Sequence, residues 1–356
     1  MALRIDVMVL TLFCRLFLRH TQTETQELSN QELVQVLETP LKLNAKPGEK
    51  IYIITDTSME QEVWQALADA ALNLSMEPTV AIMQPRAFHA QDPVPAVVAG
   101  ALDPSNDLVV YLTSTALAHA PITELLIEHR RRFVLMEELT ASMLAKDGPA
   151  GADYLALNIL GKKIADIFTN GKLVTVTCPN GTNLTASIEG RVGRAITGIP
   201  VVMRPGGGSG CAFPDGETHV CPVEGTGEGT VVLDLTAHSV GALREHITVT
   251  VKNGMAVAIE GGEQAAAWRE IFAKHGDPES FNCPAEIAIG LNPKVSPTGS
   301  MRTDKKMYAT SHIGLGDTTA LGGTCKAKLR LEGVIREPCI SVDGVVITRG
   351  GKILLD

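Results

Sequence analysis

Aromatic residues are scarce in this 356-residue chain, at 8 Phe, 4 Tyr and 2 Trp. With 33 glycines and abundant Ala and Val, its interior is expected to rest on tight turns and close backbone approach instead. No CxxC pair occurs among the seven cysteines (Cys14, Cys178, Cys211, Cys221, Cys283, Cys325, Cys339). That argues against a zinc ribbon or a disulfide framework and leaves reduced, small core residues. There is no long basic run and the formal net charge is −9, which argues against a nucleic-acid partner. No uncharged apolar stretch approaches the roughly 18 residues of a spanning helix. The opening "MALRIDVMVLTLFCRLFLRH" is interrupted by Arg4, Asp6, Arg15 and Arg19 and shows no clear cleavage site. Residues 1–28 are therefore expected to be an amphipathic or non-native extension. The remaining composition, 45% hydrophobic and 20% charged, is globular, and the length suits one large or two ordinary domains. A soluble cytoplasmic protein is the expectation, without membrane or nucleic-acid partners.

Over 50–136 short apolar runs ("KIYIITD", "TVAIMQ", "DLVVYLT", "RFVLME") alternate with helix-length segments. Ser58 and Gln61 suggest a capping box for one of these helices. Such alternation predicts a parallel sheet with crossover helices, whose ligands gather at strand carboxyl ends, here Asp56, Thr113 to Thr115 and Glu137. From about residue 150 the texture changes. "ADYLALNILGKKIADIFTNG" predicts a helix ending at Asn170-Gly171. Antiparallel signatures follow, including a hairpin at Asn180-Gly181. The expected architecture is an N-terminal α/β domain (29–148) and a largely antiparallel α+β catalytic domain (149–356).

Several groups in the second half could carry chemistry. "RPGGGSGCAFPDGETHVCPVEGTGEG" is glycine-rich but lacks the order of a phosphate loop. Within it Glu217, His219 and Glu224 could ligate a metal or move protons, or form an exposed polar loop. Glu286 sits in the apolar run "PAEIAIG", where a carboxylate is costly to bury unless paired or cation-bound. His275 closes a predicted helix, a place that suits a histidine without any further role. His312, in "MYATSHIGLGDTTALGGT", reads as a ligand, a base or a turn residue. In "KLRLEGVI" a strand would put Arg330 and Glu332 on one face, as a solvated face or an ion pair. Together Glu217, Glu286, His312 and Glu332 form a carboxylate–imidazole set that suits Zn, Fe or Mn.

"GETHVCPVEGTGEGTVVLD", "AEIAIGLNP", "DKKMYATSHIGLGDTTALGG" and "VDGVVITRGGKI" resemble the aminopeptidase T-type metallopeptidases. They resemble even more the related 2,5-dihydroxypyridine 5,6-dioxygenases, in order over roughly residues 30–356. The peptidase resemblance implies a dinuclear centre, with Glu217, Glu286 and His312 at matching positions. The dioxygenase resemblance implies one Fe(II) on two His and an Asp, with His275 as the first ligand and His119 as the catalytic base. In both branches a late His-x-Asp pair is implied, and this chain has Arg330-Leu331-Glu332 in that place. Glu332 keeps the carboxylate, but Arg330 has no acceptor and cannot ligate. It would meet an anionic substituent of the substrate or replace a metal's charge.

The resemblance thus implies a ring-opening, Fe(II)-dependent enzyme acting on a small heteroaromatic or cyclic substrate between two domains, in a homodimer. The alternative is a hydrolase of amides or cyclic amides, metal-dependent or using a His base and Arg330. The expected catalytic residues are His119, Glu217 and Arg330, and the expected metal residues His275, Glu286, His312 and Glu332.

Overall fold

The computed structural model describes residues 29–355 apart from 88, 119 and 205. The expected extension over 1–28 and the candidate base His119 lie outside the described residues.

The first layers run α1 (Asn30–Asn44), β1 (Lys50–Asp56), α2 (Gln61–Asn73), β2 (Glu77–Met83), α3 (Pro95–Leu102), β3 (Leu108–Leu112), α4 (Pro121–Glu128) and β4 (Arg132–Leu135). α1 starts in a capping box, Ser29 and Glu32 each satisfying the other's backbone N–H. The box expected at Ser58 and Gln61 does not form, because the backbone N–H of Ser58 donates to Asp56 and the helix begins at Glu60 without a side-chain cap. The strands pair in parallel in the order β2-β1-β3-β4. β1 and β3 are almost wholly buried, as their unbroken apolar runs require.

α5 (Tyr154–Asn170) opens the second part, followed by β5 (Leu173–Thr177), β6 (Asn183–Ser187) and β7 (Arg194–Ile196). α5 ends at Gly171 as expected, but for another reason: the backbone there is extended, and a Cβ would lie 2.2 Å from Val342 Cγ1. β5 and β6 form the expected hairpin, with Gly181 at φ 107°.

β8 (Val201–Val202) and β9 (Ser209–Ala212) come next, and they return to the first sheet. β9 pairs in parallel with β4, and β8 antiparallel with β9. The first sheet therefore has six strands, two of them from beyond the boundary read near residue 150.

The chain continues as β10 (Glu217–Val220), β11 (Glu228–Leu233), β12 (Thr236–Ala237), β13 (Gly241–Ala242), β14 (Ile247–Lys252), β15 (Met255–Glu260) and α6 (Glu263–His275). It closes with β16 (Glu286–Gly290), α7 (Met301–Asp304), β17 (Ser311–Gly316), β18 (Arg330–Ile335), β19 (Cys339–Val342), β20 (Val345–Arg349) and β21 (Lys352–Ile353). These build an antiparallel sheet in the order β13-β12-β18-β17-β16-β10-β7 and a third sheet, β15-β14-β11-β6-β5-β19-β20-β21. The main core joins all three sheets through α5 and the buried faces of β5, β6, β11 and β14. The expected combination of a parallel α/β layer with a largely antiparallel α+β part is thus what the chain adopts. Among the described residues no helix is long and apolar enough to cross a membrane.

Candidate active site

Four adjacent strands of the second sheet, β18-β17-β16-β10, alternate strictly between two faces. One face carries Val220, Ile287, Ile289, Ile313, Leu315 and Leu331, all buried in the main core. That burial fixes the register, since a one-residue slip would reverse both faces. The opposite face carries Glu217 and His219 on β10, Glu286 on β16, His312 on β17, and Arg330 and Glu332 on β18. Cross-strand partners on this face are small: Gly290 faces Glu217, Ala288 lies between His219 and His312, and Gly314 lies between Glu286 and Glu332. Small residues at these points let long polar side chains from alternate strands converge. A Cβ on Gly314 would stand 3.0 Å from Arg330 Nη2 and 3.2 Å from the Glu286 Cβ, so its glycine is what lets Arg330 reach across β17.

The cluster is buried and densely charged. Glu217, His219, Glu286, His312 and Glu332 are each 6% exposed or less. Arg330 Nη2 donates to Glu286 Oε2 and Arg330 Nε to Glu332 Oε1 at 3.0 Å, while Arg330 Nη1 donates to the Asp317 carbonyl at 2.6 Å. Lys305 Nζ donates to Glu332 Oε2 at 2.9 Å. Lys306 Nζ lies 2.5 Å from Glu217 Oε2 and 2.9 Å from Asp215 Oδ1, and Arg302 Nη1 is 3.9 Å from Asp215 Oδ2. Burial alone would raise the Glu286 carboxyl, but the Arg330 guanidinium, with His219 and His312, outweighs it and holds it at about 2. Burial likewise opposes ionisation of Glu332 and Glu217, and Lys305 with Arg330, and Lys306, hold them well below the usual range. Behind Glu332, His238 Nδ1 accepts its backbone N–H at 3.0 Å, and burial pushes this imidazole down to about 4, so it stays neutral.

A cavity of about 210 Å³ opens in front of this face. Its opposite wall comes from the first sheet, with Phe133 and Leu135 of β4 and Ala212 of β9, and Ile196, Met203 and Leu321 close its sides. Of the strand ends expected to bear ligands, Glu137 lines it. Asp56 is instead spent on the backbone N–H groups of Ser58 and Ser114. Glu137 accepts the Leu117 N–H, and Arg302 Nε contacts its carbonyl at 3.4 Å. Burial dominates here and pushes the Glu137 carboxyl up to about 7.

Of the residues singled out from the sequence, the fold brings together Glu217, Glu286, His312, Arg330 and Glu332. It does not bring His275 to them: that residue ends α6 and is exposed, the role its helix position already explained. The stretch around Glu217 is not a polar loop but the buried strand β10. Its Glu224 turns away to accept the N–H groups of Thr324 and Cys325 and the Thr318 hydroxyl. Lys305, Lys306, Arg302, Asp215 and His238 went unnoticed, although Asp215, Glu217 and His219 share the two-residue period of one strand face.

Two triads could hold a metal ion, Glu217–His219–Glu286 and Glu286–His312–Glu332, with ligand atoms within 4.8 Å of one another in each. The second does not fit a cation, because Arg330 already joins Glu286 to Glu332 and Lys305 takes the other Glu332 oxygen. The first fits one ion. Both ring nitrogens of His219 are buried without a hydrogen-bond partner, as are those of His312.

The family NicX, 2,5-dihydroxypyridine 5,6-dioxygenase, matches residues 32–354. Among solved structures the chain is similar to 2,5-dihydroxypyridine dioxygenase from Pseudomonas putida KT2440, with a TM-score of 0.78 and 21% identity over 92% of this chain and 99% of that one. It is also similar to wild-type AmpT from Thermus thermophilus, with a TM-score of 0.65 and 14% identity over 91% of this chain and 99% of that one. A search among curated proteins finds no match. At these identities the structures speak for the fold, while the family match spans nearly the whole chain. The chain therefore belongs to the NicX, 2,5-dihydroxypyridine 5,6-dioxygenase, family.

Proposed function

We propose that this protein opens the ring of a small heteroaromatic or cyclic compound, in the manner of a metal-dependent dihydroxypyridine dioxygenase, in the cleft between its first and second sheets. The observation that carries this reading is the cavity itself. At about 210 Å³ it is smaller than the roughly 300 Å³ at which sites for drug-sized ligands begin, so it suits one ring. One wall is apolar (Phe133, Leu135, Ile196, Met203) and the other holds charged groups, which suits a flat ring with polar substituents.

Each wall has a part in the chemistry. The apolar side takes the ring face and excludes water. Lys305, Lys306 and Arg330, each paired with a carboxylate on this wall, offer fixed N–H donors that orient hydroxyl or carboxylate substituents. Glu137, with a carboxyl near 7, takes a proton from a ring hydroxyl or returns it to the opened product. It is a candidate base alongside His119, which the resemblance implies and which lies outside the described residues. Glu217, His219 and Glu286 would be the residues to hold a divalent metal, which would supply Lewis acidity and, as Fe(II), a centre through which the substrate's own electrons reach dioxygen. The built-in cations Arg330, Lys305 and Lys306 also favour a second reading, hydrolysis of a cyclic amide, in which they would stabilise an oxyanion.

Oxygen uptake and ultraviolet absorbance, followed with 2,5-dihydroxypyridine and Fe(II), separate the two. Loss of ring absorbance with stoichiometric oxygen consumption supports the oxygenase. Turnover of a cyclic amide or imide without oxygen uptake replaces it with the hydrolase.

A further inference from the structure

We propose that Lys305 is the specificity-determining residue of the cleft: its ammonium takes an exocyclic oxygen of the substrate ring and rejects a ring that offers only hydrogen-bond donors there. The proposal rests on the ring-substrate reading above and narrows its donors to one.

On the charged wall, most N–H groups are already spent. Arg330 donates to Glu286, to Glu332 and to the Asp317 carbonyl. Lys306 Nζ lies between two carboxylates, those of Asp215 and Glu217. Arg302 turns its guanidinium to the backbone carbonyls of Glu137, Pro214 and Phe213. Lys305 has a single hydrogen-bond partner among the described residues, Glu332 Oε2 at 2.9 Å. An ammonium carries three N–H groups, so Lys305 keeps donors for a ligand. Its side chain is also the most open of these four, at 20% exposed against 15% or less for the others, and it lines the cavity.

This donor is fixed at both ends. Lys305 follows directly on α7, whose last residue, Asp304, is fully buried. The Asp304 carboxylate accepts from the Thr236 and Thr298 hydroxyls and from the backbone N–H groups of Thr298 and Gly299, which anchors the turn that carries Lys305. At the other end Glu332 holds Nζ and is itself held by Arg330. A group ordered before the ligand arrives loses little freedom when it binds. Burial disfavours the ammonium, but Glu332, with Glu217 and Glu286, outweighs it and keeps Lys305 above its usual range. Lys305 therefore stays a donor with no lone pair to offer. A ring oxygen facing it gains a charged hydrogen bond, whereas an amino group sets N–H against N–H and leaves both unpaired.

Calorimetric binding of 2-pyridone and of aniline, rings of equal size, to the full-length protein at pH 8 without oxygen tests this. 2-Pyridone should bind at least about tenfold tighter than aniline. Lys305→Met and the shorter, uncharged Lys305→Gln should each remove that preference, and unchanged far-ultraviolet dichroism and melting temperature establish that a variant folds. A readout that needs no variant is the infrared carbonyl band of 2-pyridone, which should move to lower frequency on binding to the wild-type protein. Equal wild-type affinities for the two rings, an unmoved carbonyl band, or a preference that survives in a folded Lys305→Met or Lys305→Gln protein overturns the assignment. A Lys305-dependent preference without oxygen uptake on 2,5-dihydroxypyridine keeps the assignment and retires the oxygenase, whereas oxygen-dependent turnover with equal affinities for the two rings does the reverse.

Discussion

Arg330 and Glu137 show how the same burial acts oppositely on two groups. Arg330 joins two carboxylates that would otherwise be buried without enough compensating charge. Arg330→Met should destabilise the metal-free protein by about 3–5 kcal/mol, the usual consequence of removing one partner of a buried pair. Urea denaturation measures this, and a loss below 1 kcal/mol would mean that Glu286 and Glu332 are not held by Arg330. Glu137 has no such cation on its carboxyl, and burial lifts it from the ordinary 4.5 to about 7. Between those two values the folded chain retains a proton that the unfolded chain has released. Stability should therefore fall as pH rises from about 4.5 to 7 and level off above, by about 3 kcal/mol in all. Glu137→Gln should lack this fall, which parallel denaturation series at pH 4.5 and 8 would show. The sequence disclosed Glu137 as a strand end and Glu286 as a carboxylate in an apolar run. It could not disclose which cation would meet Glu286, because Arg330 reaches it from two strands away.

At the scale of elements, alternation was the legible signal and loop geometry was not. β16, β17 and β18 carry apolar residues on one face and small or charged ones on the other, so a two-residue period already contains half the site. β10 was hidden because glycines on both sides give it the look of a loop. His275 misled for a local reason: its place upstream of "GLNP" matched a family expectation, and a helix end accounts for it fully. The segment from Asp317 to Cys325 takes side-chain support from Arg330 at the Asp317 carbonyl, from Arg191 at the Gly322 carbonyl and above all from Glu224. Glu224 accepts from Thr318, Thr324 and Cys325 and pairs with Arg191, and its carboxyl is kept at about 2, the Thr324 N–H leading the groups that outweigh burial. Glu224→Ala should cost about 2 kcal/mol, a value for hydrogen bonds to a charged group, and should speed amide exchange at Thr324 and Cys325. Unchanged exchange there would show that the segment is held by other contacts.

For the whole molecule, the chain passes near residue 150 from parallel βα units to α5 and antiparallel strands, yet the first sheet draws on both sides of that point. β8 and β9 belong to the first sheet although they follow α5 and β7 by sequence. Composition cannot show this, since two short strands in a glycine-rich stretch have no period long enough to register. A fragment of residues 29–148 would leave β4 unpaired along the edge that β9 covers. It is expected to be aggregated or poorly ordered, with little dispersion in its amide NMR spectrum, whereas a well-dispersed spectrum would establish an independent domain.

The same excursion ties the two walls of the cavity together by chain connectivity. The polypeptide passes between its two walls three times, after β4, between β7 and β8, and between β9 and β10. A single connecting strand would act as a swivel, free to turn in any direction. Three connections leave the walls fewer independent rotations than one would, and so favour keeping Glu137 and Arg330 on the same cavity.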